Sequence, residues 1–107
     1  MRIKFFLFLF IIFVLEKSNI RASDNWVGKW LALDQWQSEF SIILKKNGIA
    51  RSNYGDGQKG FWKIIDGNVL IKWNSGKEDF IFRGVMGIQR LHKSTQSEYT
   101  SGMKKIN

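Results

Sequence analysis

The sequence predicts an all-β domain: a small antiparallel up-and-down meander of seven to eight strands closing into a barrel. Three observations predict it. Apolar and polar residues alternate over short stretches, and a period of two belongs to strands. Gly, often preceded by Asn or Asp, interrupts these stretches at short intervals, and the chain has no Pro. No capped apolar run at helical spacing exceeds about two turns. Consecutive hairpins favour a barrel, because closure leaves no unpaired strand edge.

The first segment stands apart from this pattern. Arg2 and Lys4 precede an unbroken apolar run of 11 residues at 5–15 (FFLFLFIIFVL), and the polar stretch EKSNIRA follows. A basic start, a short apolar run and a small residue at its polar end form the layout of a secretory signal. Residues 1–22 are therefore expected to be a signal peptide, with cleavage after Ala22 and a periplasmic or extracellular product. The alternative is an uncleaved signal anchor, although the run is short of the roughly 20 apolar residues that span a bilayer. With no Cys in the chain, neither an acylated lipoprotein cysteine nor a disulfide is available. The chain's formal charge is +8; within residues 23–107, 13 Lys and Arg against 8 Asp and Glu leave +5. An exported domain this small usually leans on disulfides. Here packing must serve instead, and all five Trp lie in 23–107.

The barrel domain is expected over 23–93. Its first strand begins at GKWLALD (28–34). Phe40, Ile42 and Leu44 then point one way, with Glu39, Ser41 and Lys45 the other. Asn47-Gly48 signals a tight type I′ hairpin, a turn that needs positive φ at both central residues. Residues 49–54 make the return strand, and GDGQKG (55–60) a loop. Residues 61–65 form a strand with Trp62 and Ile64 on one face. Asp66-Gly67 is a second hairpin signal. Val69, Ile71 and Trp73 alternate in the next strand, residues 74–76 turn it, and Phe80 and Phe82 set the alternation after that, so that any cavity is expected to be lined by Val69, Ile71 and Phe80. Residues 84–87 turn again, and 88–93 form a weaker strand. The polar segment 94–107 is either a tail or a last edge strand.

Two stretches rhyme. GKWLALD and GFWKIID (60–66) share Gly, Trp two residues later, an aliphatic three beyond and then Asp. Gly suits a bend or close approach at a strand start. The Trp faces inward, the aliphatic outward, and the Asp enters a turn. The repeat is thus expected to be architecture, with Gly28, Trp30, Gly60, Trp62 and Trp73 as structural core.

Gly28-Lys29-Trp30 resembles the G-x-W signature of lipocalin-like proteins. The order of strand, Asn-Gly or Asp-Gly turn, G-x-W strand and short hairpin across 26–83 is similar to small bacterial lipocalin-like domains. That resemblance implies a barrel whose Trp closes one end and whose mouth holds an apolar ligand. Family members also act as inhibitors and interaction modules. The chain is shorter than a typical lipocalin and lacks its Cys pairs and later motif.

No residue set specifies a reaction, so no enzyme and no cofactor are expected. His92 has no second His and no Cys for a metal site, and reads as an ordinary strand or surface histidine. Asp56, Glu78 and Asp79 read as solvated turn carboxylates; adjacent Glu78 and Asp79 face opposite sides of a strand. GDGQKG lacks the Gly-Lys-Ser/Thr ending of a phosphate loop. Lys45, Lys46, Arg51, Lys59, Lys63, Lys72 and Lys77, spread over outward positions, read as a solvated basic face that aids solubility; the alternative is a surface that meets anionic headgroups or polymers, and not nucleic acid in an exported protein. Trp36, in the polar turn LDQWQSE, is either a contact residue or a lid over the barrel end. The expected ligand contacts are Trp36, Tyr54 and Asp56. The expected function is an exported, non-catalytic monomer binding a small apolar ligand at the barrel mouth. The alternative is an envelope protein-interaction or inhibitor module with a filled core.

Overall fold

The computed structural model describes residues 25–107; the signal segment expected at 1–22 lies outside the described residues. Eight strands run β1 (Gly28–Leu33), β2 (Glu39–Leu44), β3 (Ile49–Ser52), β4 (Gln58–Ile65), β5 (Asn68–Trp73), β6 (Glu78–Gly84), β7 (Gly87–Lys93) and β8 (Glu98–Lys105). Each pairs antiparallel with its successor, and β8 pairs with β1 to close the barrel. The segment 94–107 therefore holds a strand. That strand has a neighbour on both sides, joining Gln89–Lys93 of β7 and Trp30–Ala32 of β1, so it is no edge.

An up-and-down meander sorts its turns between two ends. The β2–β3, β4–β5 and β6–β7 turns lie at one end with the segment entering β1. The β1–β2, β3–β4, β5–β6 and β7–β8 turns lie at the other. The first end is plugged. Trp26 is buried just before β1, 5.5 Å from the Trp30 ring, and its indole donates to the Gly67 carbonyl at 3.1 Å. Trp30 donates to the Trp26 carbonyl at 2.9 Å, and the Arg83 guanidinium lies over the Trp26 ring at 4.7 Å. Above this plug Ile42, Leu44, Val69, Ile71 and Ile81 fill the interior with essentially no exposure. Eight strands enclose a space just wide enough for such side chains, so this half of the barrel is solid.

The rhyming stretches perform one job twice. Trp30 and Trp62 both face inward toward the plugged end, and each indole N–H finds a backbone carbonyl, Trp62 that of Lys45 at 2.8 Å. A Cβ on Gly60 would collide with the Lys72 carbonyl and sit 2.8 Å from Trp73 Cα. Gly60 thus lets β4 press against β5 opposite Trp73. Asp66 and Gly67 take φ of 51° and 82°, as a two-residue type I′ turn requires.

Two expectations are corrected. At Asn47-Gly48 only Gly48 has positive φ, 87°, and its N–H bonds back to the Lys45 carbonyl. The turn is a longer hairpin loop ending in a left-handed Gly, because β2 stops at Leu44 and not next to Asn47. In β6 the inward face belongs to Asp79 and Ile81, both buried, while Phe80 and Phe82 face outward and stack at 5.8 Å. Hydrophobicity alone chose the other phase, and the closed register reversed it.

Candidate functional site

Toward the open end the interior changes character. Here β6, β7 and β8 place Asp79, Arg90, His92, Tyr99 and Ser101 on inward positions, below a cleft of about 740 Å³. Asp79 is the hub. Its Oδ2 accepts the Trp73 indole N–H at 2.7 Å, and its Oδ1 accepts from Arg90 Nη1 at 2.6 Å and His92 Nδ1 at 2.8 Å. An ionised carboxylate only accepts, which assigns the imidazole proton to Nδ1 and leaves Nε2 as the other polar atom of a ring lining the cleft. Burial alone would raise the Asp79 pKa. The His92 hydrogen bond, the Arg90 charge and the Trp73 hydrogen bond outweigh it and hold the carboxyl below its ordinary value.

Arg90 is 1 % exposed. Its Nη2 donates to the Leu33 carbonyl at 2.8 Å and to the Tyr99 hydroxyl at 2.9 Å, tying β7 to the end of β1 and to β8. The guanidinium lies 5.0 Å from the Phe40 ring centroid and 5.2 Å from that of Tyr99, a cation–π arrangement. Its Nε is buried without a hydrogen-bond partner.

The wall is aromatic. Phe40 and Tyr54 pack at 4.9 Å, His92 and Tyr99 at 5.1 Å, and Trp36 stands on the β1–β2 loop at 74 % exposure. Asp34 shapes that loop. Its Oδ1 accepts from the Trp36 and Ser38 amides at 2.8 and 2.9 Å, the use of an aspartate in a turn. Burial first, then the Asp34 charge, raises the Tyr54 pKa above its usual value, so Tyr54 enters the cleft as a neutral hydroxyl. Ser52, Gln58, Ser94 and Ser97 add hydroxyl and amide groups to the lining.

Of the three contacts expected from the sequence, Trp36 and Tyr54 line this cleft, while Asp56 sits exposed in the β3–β4 turn outside the lining. Trp36, mostly exposed, stands in the cleft lining as a rim residue and not as a packed lid. Asp79, expected as a solvated turn carboxylate, is buried, and His92 is 14 % exposed at its side chain within a network. Glu78, its neighbour on the opposite face, reaches Lys72 at 4.0 Å outside the barrel. Sequence reasoning missed Arg90. The signal was there in its parity: Arg90 shares a face with Ile88 and His92, two residues away on either side. Among the described residues no three His, Cys, Asp or Glu side chains gather as metal ligands. No family model, no curated protein and no solved structure matches this chain.

Proposed function

We propose that this chain is a lipocalin-like, non-catalytic binding protein that holds one small molecule in the open half of the barrel. The observation carrying this reading is the division of the interior, solid and apolar below, with a cleft of about 740 Å³ above. That volume lies within the roughly 300–1,000 Å³ of small-molecule sites. The lining favours an amphipathic ligand over the apolar one that the family resemblance implied. A flat apolar portion suits Trp36, Phe40, Tyr54 and Tyr99, and hydrogen-bonding groups suit Gln58, His92 and Ser97. Asp79 and Arg90 neutralise each other, so the floor favours a neutral ligand. Export follows from the expected signal at 1–22, and monomeric binding from a barrel with no open edge.

The test is native mass spectrometry of residues 23–107 purified gently from the producing cell. The expected result is a bound mass lost on denaturation and diminished in Trp36→Ser, a change at an exposed site that leaves stability within about 0.5 kcal/mol. A barrel bare under every gentle condition overturns the reading. One observation favours the interaction module as second reading: Phe61, 61 % exposed, faces outward beside the strands bearing Leu70, Phe80 and Phe82.

A further inference from the structure

The two ends of the barrel differ in charge as well as in packing. Of the seven Asp and Glu among the described residues, only Asp66 lies at the plugged end. That end carries Lys45, Lys46, Lys63, Arg83, Lys104 and Lys105 on its turns and adjoining strand ends, with Lys29 at the start of β1. The open end holds the other six carboxylates against Lys59, Lys72, Lys77 and Lys93. The barrel is therefore polarised along its axis, formally +6 at the plugged end and −2 at the open one, with Arg51 and Arg90 between.

At the tip of the positive end, the two-residue β6–β7 turn is Val85-Met86. Val85 is 104 % and Met86 89 % exposed. A turn tip favours polar residues, and nothing in the barrel uses these two side chains. Met86 also borders a shallow groove with Leu31, Ile88, Met103, Lys104 and Lys105, so apolar surface and two ammonium groups share one face, with the Glu39 carboxylate also in the lining. The chain enters β1 at this same end, through Trp26.

We propose that the plugged end is a docking face for an anionic phospholipid surface, with Val85-Met86 entering the headgroup layer and the surrounding lysines meeting lipid phosphates. Charge complementarity names the sign of the partner. Each Lys or Arg near such a surface adds to the attraction, which a Debye length limits. The apolar tip names a lipid partner over another polyanion. Single-stranded nucleic acid is held by stacking on exposed aromatic rings, whereas Trp26, Trp30 and Trp62 at this end are buried. Docked this way, the barrel turns its open cleft away from the membrane. The proposal stands independently of any ligand in that cleft.

Residues 25–107 close the barrel and bury its core among themselves, so residues 23–107 form the unit to test. Its sedimentation with vesicles of phosphatidylcholine, alone or mixed with phosphatidylglycerol, is measured at low and high salt. We expect binding to the mixed vesicles only, weakened by salt. Val85→Ser with Met86→Ser, and separately Lys104→Glu with Lys105→Glu, each lower the affinity by about tenfold or more. Lys77→Glu at the open end changes it far less. Near-ultraviolet circular dichroism confirms that the variants keep their fold. Failure to bind the mixed vesicles overturns the proposal. So does binding that the serine pair leaves untouched, or binding to heparin or single-stranded DNA as tight as to vesicles, which would indicate polyanion attraction without a lipid face.

Discussion

At Asp79 of β6 one buried carboxylate serves three donors on the two flanking strands: Trp73 of β5, and Arg90 and His92 of β7. Removing its charge leaves the Arg90 cation buried and uncompensated. Asp79→Asn is expected to cost about 3–5 kcal/mol of stability in urea unfolding. The pH dependence has a definite sign. The folded pKa of Asp79 lies below its ordinary value, so its contribution is fully present above the unfolded pKa, about 3.9. It is lost as pH falls below that toward the folded pKa. Stability should therefore drop in acid below about pH 4 for the parent chain, and less steeply for Asp79→Asn. Equal acid slopes in the two proteins would show that Asp79 is not the group responsible. Gly60 is another residue whose identity the structure demands. Gly60→Ala places a methyl against the β5 backbone, and thermal or urea unfolding is expected to show a loss of about 1–3 kcal/mol.

At the scale of elements, β8 shows how a weak strand becomes indispensable. EYTSGMKK carries little hydrophobicity, and its inward residues are only Tyr99, Ser101 and Met103. Yet it bonds to β7 through five residue pairs and to β1 through three, and Ser101 Oγ donates to the Leu33 carbonyl at 2.8 Å. Deleting residues 98–107 exposes the edges of β1 and β7 together with the core behind them. The truncated chain is expected to aggregate or unfold, read by circular dichroism and size-exclusion chromatography. A soluble, folded seven-stranded product would show that closure is dispensable. The paired Gly-x-Trp strands explain the opposite behaviour at the plugged end. There each indole N–H has a backbone carbonyl partner; the Trp30–Trp26 bond is local, while Trp62–Lys45, Trp26–Gly67 and the Arg83 guanidinium over Trp26 join the plug to other strands.

The whole molecule is a barrel divided across its axis. One half is apolar, filled, basic outside and tipped by Val85-Met86; the other is lined with polar and aromatic groups, open and mildly acidic. This division gives the proposed ligand cleft and the proposed lipid-docking face separate places, so variants at one end are expected to leave binding at the other unchanged in the ligand and vesicle assays. The barrel class, seven of the eight strands, most turns and the inward Trp residues were legible in the chain. Alternation and turn chemistry are local and survive without knowledge of neighbours. Trp36 stood out in the sequence as a contact or a lid because it is an aromatic residue in a polar turn, where burial does not demand it; the fold puts it in the cleft lining with Tyr54. The floor was not legible. Phe80 and Phe82 outweigh Asp79 on any hydropathy scale, so β6 read in the wrong phase. Arg90 meets its backbone partner Leu33 across 57 residues of sequence. By itself the sequence determined an antiparallel β-meander expected to close, because period-two patterning and Gly-centred turns act within a few residues; the Trp-closed end came only from the family resemblance. Only the tertiary structure decided which face of β6 and β7 turns inward, and with it the Asp79–Arg90–His92 floor. Burying that charge is favourable only where the partners from other strands are already in place.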